Sequence, residues 1–170
     1  MSIEPIPEDL SQAEAEEASA YRRALGAFAT GVCVVTADTP DGPMGITVNS
    51  FTSVSLKPRL VLWCIDERSD RWPVFAAADR FAIHVLPAGD RELASRFAKG
   101  VRILAEGEFT RVGEGPPGLP EALARFDCTA HERIPMGDHM ILVGRVERFS
   151  GTDGEALTYF RGRYGRVAEA

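Results

Sequence analysis

Cysteine is scarce in this 170-residue chain: Cys33, Cys64 and Cys128 stand far apart and odd in number. No CxxC pair and no Cys/His ligand spacing occurs, so the sequence offers neither a disulfide framework nor a metal site. The three thiols read as small buried hydrophobes, and reduced thiols suit a cytoplasmic setting. Long apolar runs are missing too. None approaches the roughly 18 residues of a membrane helix, and the first residues lack the basic start and apolar stretch of a secretory signal. The expectation is a cytoplasmic protein with no membrane partner. A basic excess is absent as well. The net charge is −6, and six of the acidic residues (Glu4, Glu8, Asp9, Glu14, Glu16, Glu17) fall within the first twenty positions, where no Lys or Arg occurs. From Tyr21 onward 19 acidic residues balance 19 basic ones. This distribution excludes the basic footprint of a nucleic-acid binder. There is no Gly-x-Gly-x-x-Gly and no regular βαβ alternation, which argues against a Rossmann dinucleotide site.

What is present reads as one β-rich domain. A chain of this length buries about 68–70% of its unfolded surface, enough for a single core. Residues 1–20 form an acidic leader, loose over residues 1–10 and then entering a helix; residues 21–170 form the domain. Ser11 and Glu14 match the capping-box pattern, and Ala18, Tyr21, Leu25 and Phe28 recur at helical spacing, which predicts a helix over residues 12–27. Residues 31–37 are Val-rich and read as a buried strand. A turn with Asp41-Gly42 and two prolines follows, then a strand over residues 45–52 that makes a hairpin with the first. Leu56-Lys57-Pro58 breaks the ladder before a strand at 60–65. A short helix is expected over 72–78, a strand containing His84 over 81–86, and a helix capped by Asp90 through Lys99, with Leu93 and Phe97 facing inward. Residues 103–110 read as a strand and 113–120 as a loop. Two further strands, 127–134 and 140–149, are joined through Gly137-Asp138-His139. About seven strands with hairpin turns and few helices imply an antiparallel sheet closing on itself.

One segment is unusually polar for a buried β region. Thr47, Asn49, Ser50, Thr52, Ser53 and Ser55 crowd hydroxyls and an amide into residues 47–55. Each buried polar group without a partner costs about 1–3 kcal/mol. Either a ligand rich in donors and acceptors supplies the partners, or the segment is an edge strand whose polar side faces water.

Several segments, taken in order, resemble a known family. The run from Phe28 through Thr36 (FATGVCVVT) is similar to the opening strand of the flavin reductase-like family, whose fold is the FMN-binding split barrel, an antiparallel, mainly β fold with a few flanking helices. Residues 45–61 (GITVNSFTSVSLKPRLV) resemble its flavin-binding strand pair. Residues 81–86 followed by 91–98 (RELASRFA) are similar to its middle section. Gly137-Asp138-His139 leading to Gly144-Arg145-Val146-Glu147, and Tyr159-Phe160-Arg161-Gly162-Arg163-Tyr164, resemble its C-terminal signatures. Together these span residues 21–164.

The resemblance implies an NAD(P)H-dependent flavin reductase that passes a hydride from NADH or NADPH to FMN or FAD. The flavin carries the difficult chemistry, so no nucleophile, metal or triad is needed. It places the flavin ring against Thr47, Val48, Asn49 and Ser50, and its ribityl chain or phosphate near Ser53 and Ser55. The phosphate, which needs donors and positive charge, falls to Ser69, Arg68 and Arg71. It assigns nicotinamide contact to His139, oriented by Asp138, and a capping role on the pocket to Arg161 and Tyr164. It further implies a homodimer and a partner flavin-dependent monooxygenase. The same barrel serves in other settings as a non-catalytic flavin carrier or redox sensor. His84, in an apolar strand, reads as a satisfied core or dimer histidine.

Overall fold

A computed structural model describes residues 11–100 and 103–167; the expected looseness of residues 1–10 lies outside them. The chain runs α1 (Gln12–Leu25), β1 (Thr30–Gly31), β2 (Cys33–Ala37), β3 (Met44–Val48), β4 (Thr52–Leu56), β5 (Arg59–Asp66), α2 (Trp72–Ala77), β6 (Arg80–Val85), α3 (Arg91–Ala98), β7 (Ala124–Met136), β8 (His139–Gly151), β9 (Leu157–Phe160) and β10 (Arg163–Arg166). Seven strands form one antiparallel sheet in the order β3-β2-β6-β7-β8-β5-β4, and β1, β9 and β10 form a second.

The edges of the large sheet, β3 and β4, are neighbours in sequence. Laid flat, seven strands would set them about 29 Å apart. The three residues joining them span at most about 15 Å. The sheet therefore curls into a barrel, but the ladder does not close: β3 and β4 are not bonded to each other. This corrects the expectation of a closed sheet and gives the split form of the barrel. It also corrects the single strand expected over residues 45–52. The chain leaves β3 after Val48 and starts β4 at Thr52, so the hydroxyl-rich segment straddles two opposite edges. Ser50 stands opposite Cys64, where the β4 ladder would continue. Its hydroxyl accepts from the Cys64 N–H (2.9 Å) and donates to the Cys64 carbonyl (3.3 Å).

Two apolar clusters organise the interior. Val35, Ile46, Trp63, Phe75, Phe81 and Leu142 belong to the one inside the barrel, where Trp63 meets Phe75 and Phe81 edge-on. The second lies on the opposite face of β2, where Val32, Val34 and Leu86 pack with Ala94 and Phe97 of α3 and with Leu104, Leu119 and Leu157. Residues 32–35 thus alternate between two buried layers, which is why the strand reads as a continuous apolar run. Gly45 lets α3 approach β3: a Cβ there would lie 2.7 Å from the Phe97 ring.

Other expectations divide. α1 has the full Ser11/Glu14 capping box, yet buries no residue, and Tyr21 and Phe28 lie exposed. The strand expected over residues 103–110 does not form; Ile103 and Thr110 make only isolated bridges. Residues 157–166 form the β9–β10 hairpin, which hydropathy alone did not mark. α3 begins after Asp90, but the Asp90 side chain makes no capping bond. Cys33 and Cys128 are buried, and burial pushes both thiols up to about 12. No helix among the described residues is long and apolar enough to cross a membrane.

Candidate functional site

Half of the site residues singled out from sequence, Thr47, Arg68, Ser69, Arg71, His139 and Tyr164, meet around α3 and the end of β5. Thr47 is buried in β3, and its hydroxyl donates to the Ala94 carbonyl of α3 (2.7 Å). Tyr164, on β10, packs beside α3: it meets Tyr159 edge-on and lies under the Arg91 guanidinium of that helix (5.9 Å). Arg71 follows β5 and is buried. Its guanidinium donates to the carbonyls of Phe97 (2.6 Å) and Ala98 (3.3 Å), placing a cation on the negative end of the helix. Ser69 is buried in the same turn; its N–H donates to the Asp66 carbonyl (3.0 Å) and its hydroxyl accepts from the Arg71 N–H (3.4 Å).

A polar cluster continues from this turn to the β7–β8 hairpin. Asp66 is 1% exposed and takes a bidentate contact from Arg68, Nε at 3.1 Å and Nη2 at 2.7 Å. Burial pushes the Asp66 carboxyl up. The hydrogen bonds and charge of Arg68, with the nearby His139, outweigh that and hold it below the usual carboxylate range. Arg68 also reaches Asp138 (3.8 Å), and Asp138 bonds Nδ1 of His139 (2.7 Å). Asp66 and His139 face each other in the β5–β8 register, and the Glu67 N–H donates to the Asp138 carbonyl (3.0 Å). Gly137 turns the hairpin with φ of 64°, a conformation a side chain disfavours. Asp66, Asp138 and His139 bring their ligand atoms within 4.8 Å of one another, but the Arg68 guanidinium already supplies the positive charge there.

The other predicted residues lie apart from this cluster. Val48 is buried in the barrel core, so only its backbone can face a ligand. Asn49 is half-buried between β3 and β4. Ser53 is exposed on β4, and Ser55 accepts from the Lys57 N–H (3.3 Å). Arg161 tops the exposed β9–β10 turn with φ of 48° and stacks on Phe160 (5.2 Å). A cleft of about 240 Å³ lies at the far end of β7 and β8, near Leu119, Arg125 and Phe149. None of the predicted residues lines it, and its Arg125 is held by Asp127 (2.6 Å) and the Pro116 carbonyl (2.9 Å). Sequence reasoning saw Asp66 only as a surface partner for the neighbouring arginines, and the structure buries it as the anchor of Arg68. A carboxylate closing an apolar strand two residues before an arginine was the available sign for its burial.

The donor set suits a flat ring with alternating donors and acceptors. Beyond Met44, the outer edge of β3 has no strand neighbour among the described residues, and such an edge offers N–H and C=O groups in alternation. The phosphate end is different: Arg68 is balanced by Asp66 and Arg71 is committed to α3.

Residues 25–168 match the family described as flavin reductase like domain. The chain is 48% identical over 153 residues to FMN reductase (NADH) SmoA of Agrobacterium fabrum, covering 90% of this chain and 88% of that one. It is 39% identical over 150 residues to the reductase component of flavin-dependent trigonelline monooxygenase of Acinetobacter baylyi, covering 84% of this chain but only 47% of that longer protein. Among solved structures, the NADH:FAD oxidoreductase SgcE6 of Streptomyces globisporus C-1027, in complex with NAD and FAD fragments, superimposes with a TM-score of 0.83 at 35% identity, covering 90% of this chain and 94% of that one. The split barrel, the ordered motifs along it and these likenesses over most of its length together place the chain in the flavin reductase-like family.

Proposed function

We propose that this chain is an NAD(P)H-dependent flavin reductase that supplies reduced flavin to a separate flavin-dependent monooxygenase. The observation that carries this is the 48% identity, across 90% of the chain, to an NADH-dependent FMN reductase. Bound flavin supplies the hydride-accepting ring; the protein holds two rings in register and excludes water between them. The free edge of β3 and the Asn49 amide meet the ring's pyrimidine edge, Thr47 and Val48 shape the strand from beneath, and Ser50 keeps the edge anchored to β5. Ser53 and Ser55 face the ribityl chain. The Ser69 hydroxyl faces the phosphate, with Arg68 and Arg71 shaping that turn from behind. His139 faces the nicotinamide, Tyr164 borders the pocket on the α3 side, and Arg161 caps it from the β9–β10 turn.

The molecule acts as a homodimer in the cytoplasm. Support for the dimer comes from apolar side chains left outside both cores: Leu56 is 88% exposed on edge strand β4, and α1 buries nothing. Such surfaces on an edge strand are sites of association. The free thiols support a reducing compartment.

The test is oxidation of NADH and of NADPH by purified protein, followed by loss of nicotinamide absorbance, with FMN, with FAD and with no flavin added. Turnover that rises with added flavin is expected. A protein that retains yellow flavin but turns over with neither nicotinamide is a carrier or sensor and overturns the proposal.

A further inference from the structure

We propose that Asp66, Arg68 and Asp138 form a positioning assembly that fixes the ring of His139 with Nδ1 protonated and Nε2 bare, so that His139 presents a hydrogen-bond acceptor to its substrate. This rests on the reading that His139 faces the nicotinamide.

An ionised carboxylate only accepts hydrogen bonds. Asp138 lies 2.7 Å from Nδ1 of His139, so Nδ1 carries the hydrogen. In the neutral imidazole the other nitrogen is then an acceptor. A bare Nε2 recognises an N–H donor, such as the amide nitrogen of a nicotinamide carboxamide.

Asp138 cannot do this alone. Its side chain is 65% exposed on a two-residue turn, where a carboxylate has many rotamers open to it. Arg68 restricts them. Its guanidinium sits bidentate on buried Asp66 and extends to the second oxygen of Asp138 (3.8 Å), leaving the first for His139. The backbone reinforces the arrangement through the Glu67 N–H to the Asp138 carbonyl and the Asp66–His139 register. The charged side chains gathered on His139 are thus Asp66 from β5, Arg68 from the turn after it and Asp138 from the hairpin; its cross-strand neighbour on β7 is the uncharged Met136. The phosphate turn and the histidine hairpin become one unit, with Arg68 as the link between them.

Three histidines occur in the chain, which makes the state of each ring readable from nitrogen NMR shifts in the flavin-free protein. His139→Gln assigns the signal by deleting it. In mildly alkaline buffer the wild-type His139 ring is expected to show hydrogen on Nδ1. Asp138→Ala should move it to the commoner Nε2–H form and raise KM for the nicotinamide about three- to tenfold, with KM for flavin little changed. Arg68→Met should shift the same signal part of the way, and Arg68→Lys should restore less than the full effect, since an ammonium cannot make the bidentate contact. Because Asp138 is on an exposed turn, its variant tests the idea even if the Arg68 variants fold poorly. A wild-type ring with hydrogen on Nε2, or an Asp138→Ala ring that does not change, overturns the inference. The expected tautomers combined with a His139→Gln enzyme of undiminished kcat/KM for the nicotinamide would uphold the assembly and overturn the role given to His139.

Discussion

His84 shows how one side chain can be placed by its surroundings beyond anything its sequence neighbours reveal. It is completely buried in β6. Its Nδ1 donates to the Val34 carbonyl (2.9 Å) and its Nε2 accepts from the Leu119 N–H (3.1 Å), so the ring pins the loop at Leu119 to β2. Thr36 strengthens the same seam by donating to the Pro117 carbonyl. Both ring nitrogens are satisfied by the neutral form. Burial, against the opposing pull of the Val34 carbonyl, and with a further push from Arg125, lowers the His84 value from 6.5 to about 3. Between those values the unfolded chain binds a proton that the folded one refuses, so stability is full above about pH 6.5 and falls as pH drops toward 3. The expected slope is at most roughly 1.4 kcal/mol per pH unit. Denaturant unfolding at several pH values between neutral and about pH 4 should show this decline. A His84→Gln protein should be less stable at neutral pH by about 1–3 kcal/mol and should show a shallower pH dependence.

At the scale of elements, α3 connects the site. Thr47, Arg71 and Tyr164 come from three distant parts of the sequence; the first two hydrogen-bond this one eight-residue helix, and the Tyr164 ring lies against its Arg91. A helix of this length has little stability of its own; it persists because Phe97 packs on Gly45 and Arg71 holds its last carbonyls. Arg71→Met should remove both charge-assisted bonds, at a cost of about 2–3 kcal/mol. The measurement is hydrogen exchange along α3, whose amides should lose protection more than those of β5, together with a lower Tm. Unchanged exchange in α3 would mean that packing alone holds the helix. Residues 71 and 97 are far apart in sequence, so the pairing was not readable there; Arg71 was read as a phosphate ligand because the resemblance places a phosphate-binding turn after this strand.

For the whole molecule, the question is what covers the apolar residues left outside. Leu56 and Val54 lie on the edge strand β4, and Tyr21 and Phe28 lie on and just after α1. If a second copy covers β4, Leu56→Glu should convert the dimer to a monomer in light scattering, while the circular dichroism of the barrel stays the same. A variant still dimeric would place the interface elsewhere.

Local chemistry determined much of this protein by sequence alone. The capping box set the start of α1, short apolar runs set β2, β5 and β6, and the ordered motifs identified the family. These signals are short-range or compositional, and so survive in one dimension. The tertiary structure decided the rest. It split the hydroxyl-rich segment between two barrel edges, because β3 pairs with β2 and β4 with β5, and the two do not pair with each other. It set the buried Arg71 guanidinium on the last carbonyls of α3 and tied the Ser50 hydroxyl to the Cys64 backbone. It also joined Asp66 to His139 through Arg68 and Asp138. Such pairings depend on register between strands distant in the chain, and no local pattern encodes them.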